Sequence, residues 1–386
     1  MRSGDHSRRP TTASGCRGSR HPPRRRRGAR RHAATDPRSA RTEPKQRRAP
    51  PAPCHPSLVS DLVVTASVNI IPEGPIPELV ALAVLAERLG YGRCWVYDEG
   101  LATRDVYVTL AAIAAATDRL RLGTGITNPY TRHPATTAAA TVSLDEMSGG
   151  RAFLGIGAGG SLTLDPLGLQ RPSPLGSVRD VITACRSLFA GEAVTMAGTG
   201  FTLRKARLGF PARANLEIWL AGRGPRMLAL GGEIADGVML DFIHKPALGD
   251  YIAKVHSGTR PGAPAARICY STMIITSDEA MEQTKPHMTY RIVDSPADVK
   301  DALGITEDDV ARIRNAMSGG LQAAAEFVRD EWVLPFVISG TESDCAAELA
   351  TIVERYRIQE FLLPLLDLHR APTLLHTVSD VMKRVN

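Results

Sequence analysis

Short apolar runs recur along the chain from residue 62 onward, and stretches with helical spacing of apolar residues separate them. Eight of these runs have the length and the continuous apolar character of strands buried in a parallel sheet. They cover residues 62–68, 94–97, 120–126, 153–156, 217–220, 237–240, 268–275 and 361–366. Strands that alternate with helices in this way predict an α/β fold.

Proline and glycine mark the ends of the predicted helices. Pro134 opens an alanine-rich stretch that Gly149 and Gly150 close, which is the expected polarity of a helix. The other predicted helices cover residues 76–89, 106–116, about 177–189 and 225–230, and a small hairpin is predicted around residues 200–203. An insertion of several helices precedes the eighth strand, and Thr341 and Asp344 form a capping signal within it.

Eight strand-helix units favour a (β/α)8 TIM barrel with insertions over an open sheet, and we assign it to residues 58–386. Such barrels place their sites at the carboxyl ends of the strands. The turns that follow the predicted strands are therefore the segments in which we expect the chemistry.

Residues 1–57 have a composition unlike the rest of the chain. They hold 15 Arg and one Lys against two Asp and one Glu, so their net charge is +13 and the remainder of the chain carries −6. A segment rich in Arg and Pro with few large apolar residues cannot bury enough surface to fold, and it is predicted to be a disordered basic tail. The tail is interpreted either as an arm for nucleic acid or anionic membrane, or as an inert extension or misassigned start.

The cysteine and hydropathy patterns exclude several classes of protein. Six cysteines lie far apart without a C-x-x-C pair, which argues against a disulfide framework or a metal site and for the reducing cytoplasm. No apolar run approaches the roughly 18 residues of a membrane span. We therefore expect a soluble, cytoplasmic protein whose folded domain binds neither nucleic acid nor membrane.

A glycine-rich turn follows the fourth predicted strand. Gly155, Gly157 and Gly160 satisfy the pattern G-x-G-x-x-G, which in a dinucleotide-binding fold would stand in the first βαβ unit with an acidic residue about 20 residues later. Here the fourth strand precedes the pattern and the following region is helical. The dinucleotide fold is therefore disfavoured, although bare backbone N–H groups in this turn could still bind a phosphate.

Polar residues follow two further strands. Asp98 and Glu99 end the second strand, where they could cap a helix or could hydrogen-bond ring nitrogens or a polar substrate. Arg223, Gly224 and Pro225 follow the fifth strand, where they could form a simple tight turn or could bind a phosphate or an acidic tail.

Two segments together resemble the bacterial luciferase-like superfamily. They are LGTGITNPYTRHPATTAAATVSLDEMSGGRAFLGIGAGG and AGRGPRMLALGGEIADGVML, and the likeness covers about residues 63–240 well. The closest similarity is to the branch that uses coenzyme F420 and includes methylenetetrahydromethanopterin reductases. The resemblance implies a barrel with the 5-deazaflavin at its carboxyl-end mouth and hydride transfer to or from an organic substrate, such as a reduced pterin or another small molecule.

The resemblance also implies which residues hold the cofactor. Gly125, Ile126, Thr127 and Asn128 match the family segment at the ring, with a cis peptide between the first two. Gly157, Ala158, Gly159, Gly160 and Ser161, together with Ala221, Gly222, Arg223, Gly224 and Pro225, match the loops for the cofactor tail and phosphate. We expect a side chain at Gly159 to intrude on the tail.

Asp98 matches the family's acid near the ring, whereas Glu99 replaces the histidine that usually follows. Because an ordinary carboxylate is ionised and only accepts hydrogen bonds, this change leaves the substrate open. Asp98 and Glu99 are the predicted catalytic residues. Two rival interpretations are an FMN-dependent monooxygenase and a barrel that binds flavin without turnover. Luciferase-like barrels commonly pair, so a homodimer is expected.

Overall fold

The structure is a computed structural model that describes residues 63–386. The predicted disordered tail of residues 1–57, and its boundary with the barrel at residue 58, lie outside the described residues.

Strands and helices alternate through the described chain. Twelve strands lie within residues 63–386: β1 (Thr65–Ile70), β2 (Arg93–Val96), β3 (Arg121–Thr124), β4 (Ala152–Gly157), β5 (Val194–Gly198), β6 (Phe201–Ala206), β7 (Glu217–Ala221), β8 (Gly237–Asp241), β9 (Arg267–Ser271), β10 (Ile274–Ile275), β11 (Ile338–Ser339) and β12 (Glu360–Leu365). Fourteen α-helices lie within the same residues: α1 (Ile76–Arg88), α2 (Val106–Ala116), α3 (Pro134–Met147), α4 (Ser161–Leu164), α5 (Pro174–Phe189), α6 (Pro225–Ile234), α7 (Leu248–His256), α8 (Asp278–Val293), α9 (Ala297–Ala302), α10 (Glu307–Met317), α11 (Leu321–Ala325), α12 (Asp330–Val333), α13 (Glu342–Tyr356) and α14 (Ala371–Val385).

Eight of the strands close into a parallel barrel in the order β1-β12-β9-β8-β7-β4-β3-β2. The first and last strands of the chain seal it, since β1 pairs with β12 over six residues and with β2 on its other side. The predicted (β/α)8 fold is therefore confirmed. The glycine-rich turn follows the fourth barrel strand, which is inconsistent with a dinucleotide-binding fold.

The first predicted strand was placed too early. It begins at Thr65, where its pairing with β12 starts, and not at residue 62. Val63 is 68% exposed, so its apolar side chain extends the sequence pattern without belonging to the barrel.

The seventh apolar run, residues 268–275, is two strands and not one. β9 ends at Ser271, and β10 pairs outside the barrel with β11 of the insertion. Between them, the hydroxyl of Thr272 donates to the carbonyl of Phe336 at 2.6 Å. Contacts with a segment more than 60 residues away divide the run, and the apolar pattern alone could not show them.

Local signals account for several helix ends. Thr341 and Asp344 form the predicted capping box of α13, in which each side chain accepts a hydrogen bond from the other residue's backbone N–H. Pro134 opens α3, and the predicted hairpin around residues 200–203 is the antiparallel pair β5 and β6.

The barrel interior has an aromatic middle layer. Trp95, Phe153 and Trp219 are buried together, and the ring centroids of Trp95 and Phe153 lie 4.5 Å apart. Large rings fill this part of the barrel, so no channel runs through it. A ligand therefore has room only at the ends.

Buried charges close the amino end of the barrel. Arg93 and Glu217 each stand two residues before a tryptophan of the middle layer, and side chains two apart on a strand share a face. The guanidinium of Arg93 contacts Glu217 at 3.1 Å and Glu360 at 3.0 Å. Buried charges are tolerated only when they are paired. The carboxyl end is the open end, where the predicted site lies.

Within residues 63–386, none of the helices combines the length and the apolar content that a membrane span requires. In the same part of the chain, no group of three or more His, Cys, Asp or Glu side chains is arranged to hold a metal ion. Cys94, Cys185, Cys269 and Cys345 are buried free thiols.

Candidate functional site

A cavity of about 410 Å³ opens at the carboxyl end of the barrel. The carboxyl-terminal parts of β1 and β8 line it together with the segments at the ends of β2, β3, β4 and β7, as barrel geometry requires for a site at this end. Thirteen residues predicted from the sequence line the cavity: Asp98, Glu99, Gly125, Ile126, Thr127, Asn128, Ala158, Gly159, Gly160, Ser161, Ala221, Gly222 and Arg223.

Three predicted residues do not line the cavity. Gly157 is buried in β4, where an added Cβ would lie 2.1 Å from Cδ1 of Ile126, so this glycine permits close packing behind the cavity wall. Gly224 and Pro225 form the exposed start of α6, in which Gly224 is the N-cap and proline opens the helix. Both residues directly follow Arg223 in the chain.

The cavity floor is built on a close approach at the end of β3. The peptide between Gly125 and Ile126 is cis, as the family resemblance implies. A Cβ at Gly125 would lie 2.6 Å from both Oδ1 of Asn69 and Cβ of Trp95, so only glycine fits there. Asn69 Nδ2 donates to the Gly125 carbonyl at 2.8 Å and fixes the amide orientation.

Asn69 also supplies an unused acceptor to the cavity. The residue is 2% exposed, and its Oδ1 has no hydrogen-bond partner within the described chain. Buried polar atoms are nearly always hydrogen-bonded, so an unpaired one on a cavity wall points to a ligand that donates to it. Asn69 was not predicted from the sequence, although a polar residue near the end of an otherwise apolar strand is a usable signal.

The two predicted carboxyls point to different loops. Asp98 accepts a hydrogen bond from the Thr127 hydroxyl at 2.6 Å, and Glu99 accepts one from the Thr163 hydroxyl at 2.5 Å. Neither side chain accepts a hydrogen bond from the backbone of the short 3-10 helix Gly100–Ala102 that follows them, so the capping interpretation is wrong. Both carboxyls line the cavity.

Burial changes the protonation of this pair. It raises the pKa of the Asp98 carboxyl, although the hydrogen bond from Thr127 opposes the shift. Burial likewise raises the pKa of the Glu99 carboxyl; the Thr163 hydroxyl opposes this, and the negative charge of Asp98 adds to it. Two adjacent carboxyls with raised pKa values can hold a proton at a pH where exposed carboxyls are ionised.

The glycine-rich turn after β4 offers open backbone at one position. Nothing lies within 4 Å of a Cβ built on Gly160, whereas a Cβ on Gly159 would meet Asn128 at 3.2 Å. Gly159 also has a φ of +71°, which side chains rarely adopt. The expected intrusion of a side chain on a ligand therefore applies to Gly160. At Gly159, a side chain would first disturb the turn itself.

Arg223 is the cation at the β7 side of the mouth. Arg223 is exposed at the rim, yet the protein atoms around its guanidinium, and to a smaller extent the positive charge of Arg291, lower the pKa of that group to about 10. It therefore stays protonated at neutral pH and can pair with an anion.

Several lining residues were not predicted from the sequence. They are Asn69, Tyr97, Thr163, Met239, Asp241 and Tyr290. Asp241 ends β8 and shares the strand-end signal of Asn69. Tyr290 comes from α8 in the insertion, and no sequence signal connects it to the mouth.

Several known proteins are similar to this chain in sequence. The family model described as luciferase-like monooxygenase matches residues 60–359. The 5,10-methylenetetrahydromethanopterin reductase of Methanolobus tindarius is 33% identical over 302 residues, which cover 75% of this chain and 91% of that protein. The F420-dependent glucose-6-phosphate dehydrogenase of Beutenbergia cavernae is 33% identical over 171 residues, which cover 42% of this chain and 51% of that protein.

A solved structure extends the likeness to three dimensions. The coenzyme F420-dependent tetrahydromethanopterin reductase of Methanopyrus kandleri matches with a TM-score of 0.73 and 24% identity. The match covers 82% of this chain and 97% of that one. At this identity the likeness shows the fold alone.

Proposed function

This chain belongs to the luciferase-like monooxygenase family, and we propose that within it the chain is a coenzyme F420-dependent oxidoreductase. It transfers a hydride between the deazaflavin and a small organic substrate. The observation that carries the proposal is the similarity to a reductase over 91% of that protein's length. A reduced pterin is the first substrate to test, because that relative's name specifies one.

The residues of the mouth fit a deazaflavin with an anionic tail. Asn69 presents an unpaired buried acceptor to a ring N–H, and glycine at position 125 leaves the adjacent floor free of a side chain. Gly160 leaves open space along the β4 loop, and Arg223 supplies a positive charge for the tail. We propose that the predicted residues around this cavity bind the cofactor in these roles.

When bound, the deazaflavin is the hydride carrier. The protein orients the ring and the substrate and provides a group that transfers the proton. Hydride addition to a neutral acceptor leaves an electron pair that takes up a proton. Glu99 lines the cavity with a raised pKa, so its carboxyl can deliver that proton or receive it in the reverse direction. Asp98 accepts a hydrogen bond from the Thr127 hydroxyl and is adjacent to Glu99 in the chain. Its carboxyl can also accept a hydrogen bond from the cofactor ring or the substrate and so orient that group.

Direct titration of the purified full chain with coenzyme F420, FMN and NADPH tests the cofactor. We expect tight F420 binding, weaker FMN binding and no NADPH binding, with no oxygen consumption by the reduced complex. Micromolar FMN binding with F420 excluded would replace the proposal with a monooxygenase. Binding of none of the three would leave a barrel without redox function.

A matched pair of glycine variants locates the binding site in that titration. Gly160 and Gly209 are both exposed, and a Cβ at either would meet nothing within 4 Å, but only Gly160 lines the cavity. Gly160→Leu should weaken F420 binding about tenfold or more because the side chain occupies ligand space, and Gly209→Leu should leave it unchanged. Equal effects would place the cofactor elsewhere.

We further propose that the protein is a homodimer, paired through α2 and α3. α2 has no charged residue, and Val108 on it is 58% exposed. Met147 at the end of the neighbouring α3 is 53% exposed. A second copy of the chain would cover this apolar surface.

The buried free cysteines support a reducing, cytoplasmic location.

Sedimentation velocity of the full chain measures the pairing. We expect a dimer that Val108→Glu converts to monomer, because a charge in the interface lacks a partner. Phe210 is 40% exposed on a different segment, and Phe210→Glu should remain dimeric. A monomeric wild type at all concentrations would exclude the proposal.

A further inference from the structure

The insertion between β9 and β12 brings two neighbouring residues to the mouth of the barrel. Tyr290 of α8 lines the cavity. Arg291 follows it and is almost enclosed, since only 10% of its side chain is exposed. Its guanidinium contacts Asp241, which lines the cavity, so Arg291 lies directly behind the cavity wall and its hydrogen bonds require an account.

Those hydrogen bonds are incomplete. Nη2 of Arg291 donates to Oδ2 of Asp241 at 2.6 Å, and the guanidinium lies 5.4 Å from the ring centroid of Phe242. Nη1 is buried and has no partner within the described chain. Asp241 is already engaged on its other oxygen, because the hydroxyl of Ser271 donates to Oδ1 at 2.8 Å. The free donor of Arg291 therefore needs an acceptor that Asp241 does not supply.

Near Nη1 of Arg291, the positive side chains are not balanced by negative ones. Arg223 lines the same cavity, and burial lowers the pKa of its guanidinium, with a smaller contribution from the positive charge of Arg291. Asp241 is the carboxylate in direct contact. Asp294 is 59% exposed and pairs with Arg314 at 3.6 Å, so solvent screens it. Two cations thus face one engaged carboxylate at this side of the mouth.

We propose that Arg223 and Arg291 form an anion-binding subsite that holds a carboxylate or phosphate group of the ligand in the mouth cavity. The inference rests on the proposed function for the source of that anion, which is either the tail of the cofactor or the substrate. Arg291 makes the insertion part of the binding site. An acceptor bound there satisfies Nη1 and offsets the repulsion between the two guanidinium groups.

Calorimetric titrations of the full chain separate the two sources. Coenzyme F420 and its tail-less deazaflavin fragment are titrated into wild type, Arg291→Met and Arg223→Met, and inorganic phosphate is titrated into the F420-loaded proteins. If the subsite holds the tail, both variants lose about tenfold or more in F420 affinity and keep their affinity for the fragment. If it holds a substrate anion, F420 affinity is kept and phosphate affinity falls by a similar factor.

Control variants keep the result interpretable. Arg312 lies on α10 of the same insertion and is 58% exposed, so Arg312→Met should bind every probe as wild type does. If Arg291→Met misfolds because Asp241 loses its partner, the double variant Asp241→Asn with Arg291→Met removes both charges together. Unchanged affinities for all probes in a folded variant would overturn the subsite.

The anion-binding subsite can be tested even if the proposed F420-dependent function is wrong. If the wild type binds no F420, phosphate is titrated into the ligand-free chain instead. Loss of phosphate binding in both arginine variants would then support the subsite even though the cofactor assignment is wrong. Equal phosphate binding in wild type and variants would exclude it.

Discussion

Replacing Glu99 by Gln should lower turnover on the order of 100-fold and leave F420 affinity within about twofold, because the change removes a proton donor and keeps the side chain's shape. Glu99 lines the cavity, and Thr163 holds its carboxyl in place. The measurement is oxidation of reduced F420 with 5,10-methylenetetrahydromethanopterin, or another substrate on which the wild type turns over, beside a titration of cofactor binding. Unaltered turnover would make Glu99 a bystander.

The pH dependence of turnover provides a second test of the role of Glu99. A carboxyl with a raised pKa donates a proton below that pKa, so wild-type reduction should decline as pH rises through the titration of the pair. Since Asp98 and Glu99 are adjacent, the observed midpoint belongs to both. Glu99→Gln should flatten this decline. Glu146 is exposed on α3, and Glu146→Gln should change neither rate nor profile.

The same burial accounts for a departure from the family pattern. The resemblance implies histidine at position 99, a residue that can carry a proton near neutral pH. An exposed glutamate could not replace it, because it would be ionised. Burial moves the pKa of Glu99 in the direction that a proton-carrying role requires, and we propose that Glu99 takes that role here. The sequence shows the substitution, and the surroundings of the side chain explain how the site tolerates it.

Replacing Glu217 by Gln should lower the free energy of unfolding by about 3–5 kcal/mol, because Arg121 and Arg267 lose the carboxylate that they contact and Arg93 keeps only Glu360. Glu217 contacts Arg93 at 3.1 Å, Arg121 at 2.7 Å and Arg267 at 2.9 Å. Only 5% of the Arg93 side chain is exposed, so water cannot replace the lost carboxylate. Urea unfolding of wild type and variant at neutral pH measures the difference.

The sign of the pH effect follows from the direction of the pKa shift. Burial alone would raise the pKa of Glu217, but the charges of Arg93, Arg121 and Arg267 overcome it and hold the pKa far below 4.5. The stabilisation is therefore complete above about pH 4.5 and is lost as pH falls toward the folded-state pKa. The gap between wild type and Glu217→Gln should narrow in acid.

An exposed ion pair supplies the control for this stability measurement. Glu342 is 40% exposed and contacts Arg384 at 3.1 Å. Because solvent screens such a pair, Glu342→Gln should cost less than about 1 kcal/mol at every pH. A Glu217→Gln effect equally small would mean that the charged base of the barrel does not stabilise the fold.

The sequence by itself determined the class of fold and the position of the mouth. Apolar runs alternating with helical periodicity give the order of strands and helices, and parallel strands in a barrel must end on one face. The turns after β2, β3, β4 and β7 were for that reason predicted as the site. They line one cavity in the structure. Local chemistry also fixed helix ends such as the capping box at Thr341.

Tertiary structure decided which polar groups are buried, which have a shifted pKa and which lack a hydrogen-bond partner. Glu217 starts the predicted strand of residues 217–220 and Glu360 directly precedes the predicted strand of residues 361–366, yet the closed barrel packs both carboxylates against Arg93. Asn69 gained an unpaired acceptor and Glu99 a raised pKa only because distant segments enclose them. Arg291 stands 50 residues from Asp241 along the chain. Burial and contacts between remote residues set protonation and unused hydrogen bonds, and a local pattern of residues carries no record of either.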